Sequence, residues 1–228
     1  MRIAGFLCFA LVGVATVVDQ EPVGNSTLED APVPPPTPAP TPACKHVEKG
    51  IHHDKIKPFP QLDAVSIPEK AAVKFRPMLK ISHGCHAYPM VNAEGETSGG
   101  LKTTGPSDGN CKGAQWGSQV YARSTWYKGV WAIVYVWYFP KDSTSHGLGH
   151  RHDFEQVVVW IDNPANVNPK ILGVSLSSHG GFWKHAPPHS STLPEKARCA
   201  LNSVYWGDAN LPIRDENFRK NLDEAYPF

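Results

Sequence analysis

The segment from Val130 to Phe139 constrains the fold of this chain more than any other part of the sequence. It reads Val-Trp-Ala-Ile-Val-Tyr-Val-Trp-Tyr-Phe and is β-branched or aromatic at almost every position. Such a run fits a strand that is buried on both faces, and it is too short and too β-branched to favour a helix. The sequence therefore predicts a sheet that is built around this segment.

Three further segments extend the predicted β structure. Ser118 to Trp126 alternates partly between apolar and polar residues, and Glu155 to Ile161 and Ile171 to Ser177 are two more candidate strands. A turn from Asn163 to Pro169 separates the last two strands. Together these segments predict a β-rich sandwich.

Helices are expected only at the edge of this sandwich. Pro68 suits a first helical turn, so a short helix is predicted to begin at Ile67 and to end at Pro77. Near the C-terminus, Asp215 can cap a final helix that runs to about Tyr226. The predicted fold class is mainly β, with peripheral helices.

The N-terminus predicts export from the cell. Arg2 precedes an uncharged apolar run from Ile3 to Val18, which is short for a membrane span and carries small residues near Ala15. We interpret residues 1–18 as a signal peptide and expect a soluble, secreted protein. The formal net charge is +1 and no basic patch stands out, which argues against nucleic-acid binding.

A proline-rich stretch follows the predicted signal peptide. Residues 19–43 contain seven prolines between Pro32 and Pro42, and this composition prefers extended conformations over a packed core. The stretch is predicted to be a disordered linker with a glycosylation sequon at Asn25. The folded domain is expected to span residues 44–228.

Export gives the cysteines a structural meaning. Four remain once Cys8 leaves with the signal peptide, and an even count in an oxidising compartment indicates two disulfides with three possible pairings. We favour Cys85–Cys111, because the glycine-rich polar stretch between them would gain most from a local crosslink. Cys44–Cys199 then follows by elimination, with free thiols as the alternative for this second pair.

The residues Gly149-His-Arg-His-Asp-Phe-Glu155 concentrate ionisable side chains between two apolar stretches. Such groups are costly to pack there unless they find partners or a cation. Because side chains alternate along an extended chain, Asp153 and Glu155 are expected to project together. A loop after the central strand could bring Asp142 to face Asp153, with His150 nearby.

Three carboxylates and one imidazole favour a hard divalent cation, Mg²⁺ or Ca²⁺. Zinc is an alternative, since it prefers nitrogen ligands, but the chain has no His-Glu-x-x-His pattern. Two alternatives to a metal site remain for this segment: a metal-free polar network and a solvated turn. The histidines on which zinc would depend form two groups: His146, His150 and His152, then His179, His185 and His189.

Signals for catalysis are weak in this sequence. Carboxylates beside histidine could serve acid–base hydrolysis, and a metal could activate water. The segment Gly173-Val-Ser-Leu-Ser177 lacks the closing glycine of a nucleophile elbow, however. We expect a protein that is not an enzyme, with a metal-dependent secreted hydrolase of wall polymers as the alternative.

At this point the motifs resemble those of a known family. Gly149–Glu155 is similar to the Gly-His-Arg-His-Asp-Trp-Glu signature of the necrosis- and ethylene-inducing peptide-like proteins, which are secreted phytotoxins of oomycetes, fungi and bacteria. Other blocks that resemble the family bring the match to most of residues 57–228: Cys85–Cys111 (its disulfide loop), Ala132–Asp142, Ser178–Phe182 and Ala209–Phe218.

The resemblance implies a β-sandwich like that of actinoporin-type cytolysins and secretion into the plant apoplast as a virulence effector. It also implies a magnesium or calcium ion in a surface cavity and binding to glycosylated sphingolipids of the plant plasma membrane. The family's metal-site pattern falls on Asp142, His150, Asp153 and Glu155. The segment 132–155 matches the region that plants sense, so a plant immune receptor is a second implied partner, and a monomer is expected.

Two departures from the family pattern bear on toxicity. Phe154 stands where the family has tryptophan, and the chain after Gly181 is shorter than in the family. The missing part is the one that the resemblance links to membrane contact. The alternative function is therefore a non-cytolytic family member that acts only as an immune-eliciting pattern.

Overall fold

The β-branched and aromatic run of the sequence forms strand β5, Val130–Ser145. In the computed structural model, which describes residues 14–18, 50–178, 181–185 and 211–227, every β5 residue from Trp131 to Lys141 is buried. A strand can bury both faces only when it lies inside a sheet that is covered on both sides. The predicted central strand is therefore confirmed.

Strand β5 lies inside a six-stranded sheet of order β1-β4-β5-β6-β7-β8. It pairs with antiparallel neighbours on both sides, and the hairpins continue antiparallel through β8, whereas β1 joins β4 in parallel. Two short strands, β2 and β3, form a separate parallel pair. The remaining strands are β1 (Val14–Val18), β2 (Gly50–Ile51), β3 (Thr97–Ser98), β4 (Val120–Tyr127), β6 (Leu148–Ile161), β7 (Ile171–Ser178) and β8 (Gly181–His185).

Helix α1, Ile67–Lys74, begins where the sequence predicts and ends sooner. Ser66 and Glu69 form a reciprocal capping box at its start, which satisfies backbone donors that a helix end would otherwise leave unpaired. The helix stops at Lys74 rather than at Pro77, because the residue before a proline is disfavoured in the helical conformation.

Helix α2, Asp215–Ala225, confirms the predicted C-terminal helix but corrects its cap. The N-cap residue is Arg214, and no side chain caps the helix. Asp215 is instead the first helical residue, and its carboxylate accepts a 2.6 Å hydrogen bond from the Arg123 guanidinium. The Asp215 side chain, which was expected to cap the helix, therefore binds the sheet instead. No local sequence pattern predicts this contact.

Specific polar contacts attach both helices to the sheet. The Tyr135 hydroxyl donates to the carbonyl oxygen of Ala72 in α1 at 2.8 Å. On β7, the Ser175 hydroxyl accepts from the Trp160 indole at 2.7 Å and donates to the carbonyl oxygen of Ala225 in α2 at 3.0 Å. The buried hydroxyl groups of Tyr135 and Ser175 and the indole N–H of Trp160 thereby each have a hydrogen-bond partner.

The predicted Cys85–Cys111 disulfide is present, with a Cα–Cα distance of 4.9 Å. It closes the glycine-rich loop, which is irregular except for Thr97–Ser98. The Cys44–Cys199 pair and Asn25 lie outside the described residues, as does the linker at 19–43, so these remain predictions. None of the helices in the described part of the chain is both long enough and apolar enough to span a membrane.

His53 joins the segment before α1 to the disulfide loop. Its side chain is 2% exposed, its Nε2 donates to the carbonyl oxygen of Asn110 at 2.9 Å, and its ring packs edge-on against Tyr88. The buried Nδ1 has no hydrogen-bond partner among the described residues. Burial therefore lowers the pKa of His53 below its ordinary value of 6.5, since a charged imidazole would lose its hydration there.

We expect acid to destabilise the fold through His53. Because the unfolded chain binds the proton at a higher pH than the folded chain, the stability that His53 contributes is complete above pH 6.5 and is lost as the pH falls towards the lowered pKa. The loss is at most about 1.4 kcal/mol per pH unit. Urea denaturation at several pH values should show a shallower pH dependence for His53→Gln, which keeps a donor for Asn110. Identical pH dependence in the two proteins would contradict this account.

Candidate functional site

The β5–β6 hairpin carries all four predicted ligands, in a register that differs from the expected one. Asp142 lies opposite His150, and Asp153 lies opposite Phe139, so Asp142 does not face Asp153 directly. The strands continue almost to the hairpin tip, because β6 begins at Leu148. The expected wide loop through 143–149 is thus mostly strand, which moves the pairing by several residues.

Two residues of β6 with positive φ lie next to the predicted ligands. Gly149 has φ +104° and packs against the backbone of Asp142, where a Cβ atom has no room. His152 has φ +60°, which is uncommon for a residue with a side chain. Strain of this kind persists only where surrounding contacts hold it, and it often marks functional sites.

Contacts around the His152 ring stabilise this backbone conformation. His152 is 7% exposed, and its Nδ1 lies 2.8 Å from the hydroxyl of Tyr138. Burial, followed by the nearby charges of Arg151 and His150, lowers the pKa of His152 to about 4. His152 is therefore a neutral, structural residue of the motif, which the sequence pattern alone does not distinguish from a ligand.

The glycine-rich loop closes over one side of the hairpin. The backbone N–H of Leu101 donates to the carbonyl oxygen of Pro140 at 2.7 Å, and the Lys141 ammonium donates to the carbonyl oxygen of Pro106 at 2.9 Å. Gly100 has φ +61° and leaves no space for a Cβ atom beside Arg151 and His152. Glycine at this position thus allows the loop to approach the site.

A surface cavity of about 310 Å³ opens between this loop and the hairpin, and both Asp142 and Asp153 line it. The pKa of Asp153 is raised, first by burial and then by the charge of Asp142. Two carboxylates that share a cavity in this way repel each other unless positive charge lies between them. Sequence reasoning missed the other polar side chains of the wall: His83, Ser107, Asp108, Lys141, Ser143 and Thr144.

His150 is oriented as a metal ligand often is. Its Nδ1 lies 2.8 Å from the carbonyl oxygen of His152, and that contact places the ring hydrogen on Nδ1. The lone pair then sits on Nε2, the nitrogen that would face a cation. His150 also lies close enough to lower the pKa of Asp153, opposing the effects of burial and Asp142.

Glu155 does not line the cavity and is held on the side of β7. The Ser177 hydroxyl donates to its carboxylate at 2.6 Å and accepts from the backbone N–H of Gln156 at 3.0 Å. Within the described residues, no three His, Cys, Asp or Glu side chains are already arranged to hold a metal ion. The structure thus brings Asp142 and Asp153 together, leaves His150 beside them, and keeps Glu155 apart.

The histidines of the zinc alternative have separate partners. The backbone N–H of Gly105 donates to Nδ1 of His146 at 2.8 Å, and His152 is bound to Tyr138. His185 belongs to β8, and His179 and His189 lie outside the described residues. The three rings of the first group therefore do not share one point of coordination.

Comparison with known proteins identifies relatives of this chain. The family model described as "Necrosis inducing protein (NPP1)" matches residues 69–193. The curated protein "NLP effector protein 7" from Phytophthora capsici is 51% identical over 219 residues, covering 80% of this chain and 69% of the relative.

Two solved structures extend the comparison to the fold. The non-toxic protein HaNLP3 is 44% identical, with a TM-score of 0.72, and the match covers 77% of this chain and 99% of HaNLP3. NLPPya in complex with mannosamine is 35% identical, with a TM-score of 0.69, and the match covers 78% of this chain and 99% of NLPPya. The predicted fold class, a mainly β fold of the actinoporin-like sandwich type with peripheral helices, is confirmed.

Gly149→Ala should destabilise the protein more than Gly147→Ala does. Both glycines have positive φ in the same hairpin, where alanine costs about 1–2 kcal/mol. Only at Gly149 would the new methyl group also collide with the Asp142 backbone, whereas the space around Gly147 is open. Urea denaturation of the two variants measures the difference, and equal stability losses would show that the contact with Asp142 is not close in solution.

Proposed function

This chain belongs to the necrosis-inducing protein family, and on that basis we propose that it is a secreted, cytolysin-like effector that binds glycosylated sphingolipid head groups of the plant plasma membrane. Binding requires a divalent cation, Mg²⁺ or Ca²⁺, held by Asp142, His150, Asp153 and Glu155. The consequences for the plant are necrosis and an immune response.

The shared cavity of Asp142 and Asp153 is the observation that carries this proposal. Burial, and after it the charge of Asp142, raises the pKa of Asp153, and a cation between the two carboxylates would relieve their repulsion. His150 already has the hydrogen-bonding pattern of a ligand. Glu155 would become a fourth ligand once its hydrogen bond to Ser177 breaks. Oxygen donors with one imidazole suit a hard cation, which would supply positive charge for sugar hydroxyls.

Sugar recognition is supported by the polar wall of the cavity and by a relative. Ser107, Ser143 and Thr144 provide hydroxyl groups around the two carboxylates. The relative NLPPya has been solved with mannosamine, a hexosamine. We infer that the hydroxyl and carboxylate side chains of this chain orient the sugar, while exposed aromatic residues contact the outer leaflet. Trp183 on β8, which is 69% exposed, is one such residue.

The immune response is attributed to residues 132–155. In the folded protein, residues 132–141 of this segment are buried in β5. We therefore infer that a plant immune receptor contacts the segment after the protein is unfolded or cleaved. The protein acts outside the cell, in the apoplast, without catalysis, and its curated relatives are named effectors.

A second function is favoured by one comparison. HaNLP3, at 44% identity, is a non-toxic protein. The alternative is therefore a non-cytolytic effector that keeps the fold and the immune-eliciting segment without damaging membranes. Both functions use the same fold, and they differ in whether sugar binding leads to membrane rupture.

Asp153→Asn should abolish or strongly weaken cation binding while leaving the shape of the site nearly unchanged. Loss of one of the two carboxylate charges that are proposed to hold the cation, those of Asp142 and Asp153, is expected to lower calcium or magnesium affinity by about tenfold or more. Isothermal titration calorimetry of the native protein and the variant measures this. Asp63→Asn, in an exposed segment, makes the same charge change as a matched control. Equal affinity of Asp153→Asn and the native protein for the cation would disprove the assignment.

Membrane damage is tested on vesicles that contain plant glycosylated sphingolipids. We expect dye leakage with the native protein in the presence of calcium, and none after chelation or with Asp153→Asn. Leaf infiltration with the same proteins should give necrosis in the same order. Cation and vesicle binding without leakage would instead establish the non-cytolytic alternative.

A further inference from the structure

A second cavity, of about 430 Å³, opens beside the candidate cation site. Trp137 lines it, whereas Phe139 lines the first cavity, and these two β5 residues project from the same face because they are two positions apart. The two cavities share no lining residue. The second cavity is therefore a neighbour of the cation site and not an extension of it.

The walls of this second cavity are largely apolar. Pro77, Met78, Leu79 and Ile81 come from the segment after α1, and Val120 and Trp137 come from the sheet. Ala87, Gly113 and Ala114 line it as well, and side chains this small leave the space between the larger ones open. A cavity of this size and character is within the range that binds small molecules.

Positive charge is placed at this apolar cavity. The guanidinium of Arg76, which is half-buried, supplies this charge, and Arg76 lines the cavity. Burial lowers the pKa of Arg76, which means that its guanidinium has lost part of its hydration. A partly desolvated guanidinium binds carboxylate and related anions strongly, in a planar, two-pronged geometry.

We propose that this cavity binds a single-chain anionic amphiphile, with the carboxylate of a medium-chain fatty acid at Arg76 and its alkyl chain against Met78, Leu79 and Trp137. The apolar walls account for the chain, because burying alkyl surface is favourable at about 25 cal/mol per Å². The guanidinium accounts for the negative head group. This binding needs no cation and is independent of the sugar-binding function.

Octanoate is a suitable probe, with octanol as its uncharged counterpart. Both are titrated into the full protein, below micelle-forming concentrations, while the indole N–H resonance of Trp137 is followed by NMR. Octanoate should bind at least about tenfold more tightly than octanol, since only its carboxylate can form a two-pronged ion pair with the guanidinium. Equal binding of the two probes would overturn the role of Arg76.

Three variants locate the site. Arg76→Gln should weaken octanoate binding by about tenfold, whereas Lys80→Gln makes the same charge change at an exposed position nearby and should leave it unchanged. Gly113→Phe should prevent binding by filling the cavity, because the space beside its Cβ position is open and its backbone is unstrained. Circular dichroism confirms that each variant is folded.

The proposal fails if octanoate does not shift the Trp137 resonance of the native protein. It also fails if Arg76→Gln and Gly113→Phe, both folded, bind octanoate as the native protein does. Asp153→Asn separates the two sites, since its octanoate binding should equal that of the native protein. Loss of octanoate binding in Asp153→Asn would show that the cavities act as one.

Discussion

The burial of β5 on both faces is the constraint on which the rest of this structure depends. Every residue from Trp131 to Lys141 is buried, so both faces must be covered. Tyr135 contacts α1, and Tyr138, on the opposite face, contacts Ser98 of the glycine-rich loop. The same strand carries Asp142 near its end, and it aligns the residues of β6 that carry the motif. The rigid core thereby fixes the positions of side chains that no local interaction would hold.

Near the end of this strand, several charges and backbone angles are held in energetically unfavourable arrangements. Asp153 is held beside Asp142, His152 adopts a positive φ, and its imidazole is buried in the neutral form. The loop that covers them is attached through Leu101 and Lys141 and is closed by the disulfide. Unfavourable local features that are supported by many surrounding contacts are expected at functional sites.

Much of the fold could be predicted because its signals are local. The β-branched run, Pro68 at the start of α1 and the glycine-rich stretch between Cys85 and Cys111 are local signals, and all three predictions are confirmed for the described residues. Predictions that depended on pairing between distant segments did less well. The register placed Asp142 opposite His150, and Asp215 bound Arg123 instead of capping its helix.

By itself, the sequence determined which residue types are available near the site, since the motif concentrates carboxylates and histidines between apolar segments. The tertiary structure decided what each of them does. Asp142 and Asp153 line one cavity, and the buried His152 ring is hydrogen-bonded to Tyr138. The Ser177 hydroxyl on β7 donates a hydrogen bond to Glu155. The physical reason is that alternation along a strand fixes only the face of a side chain, whereas its partner depends on the register and on the elements that pack against that face.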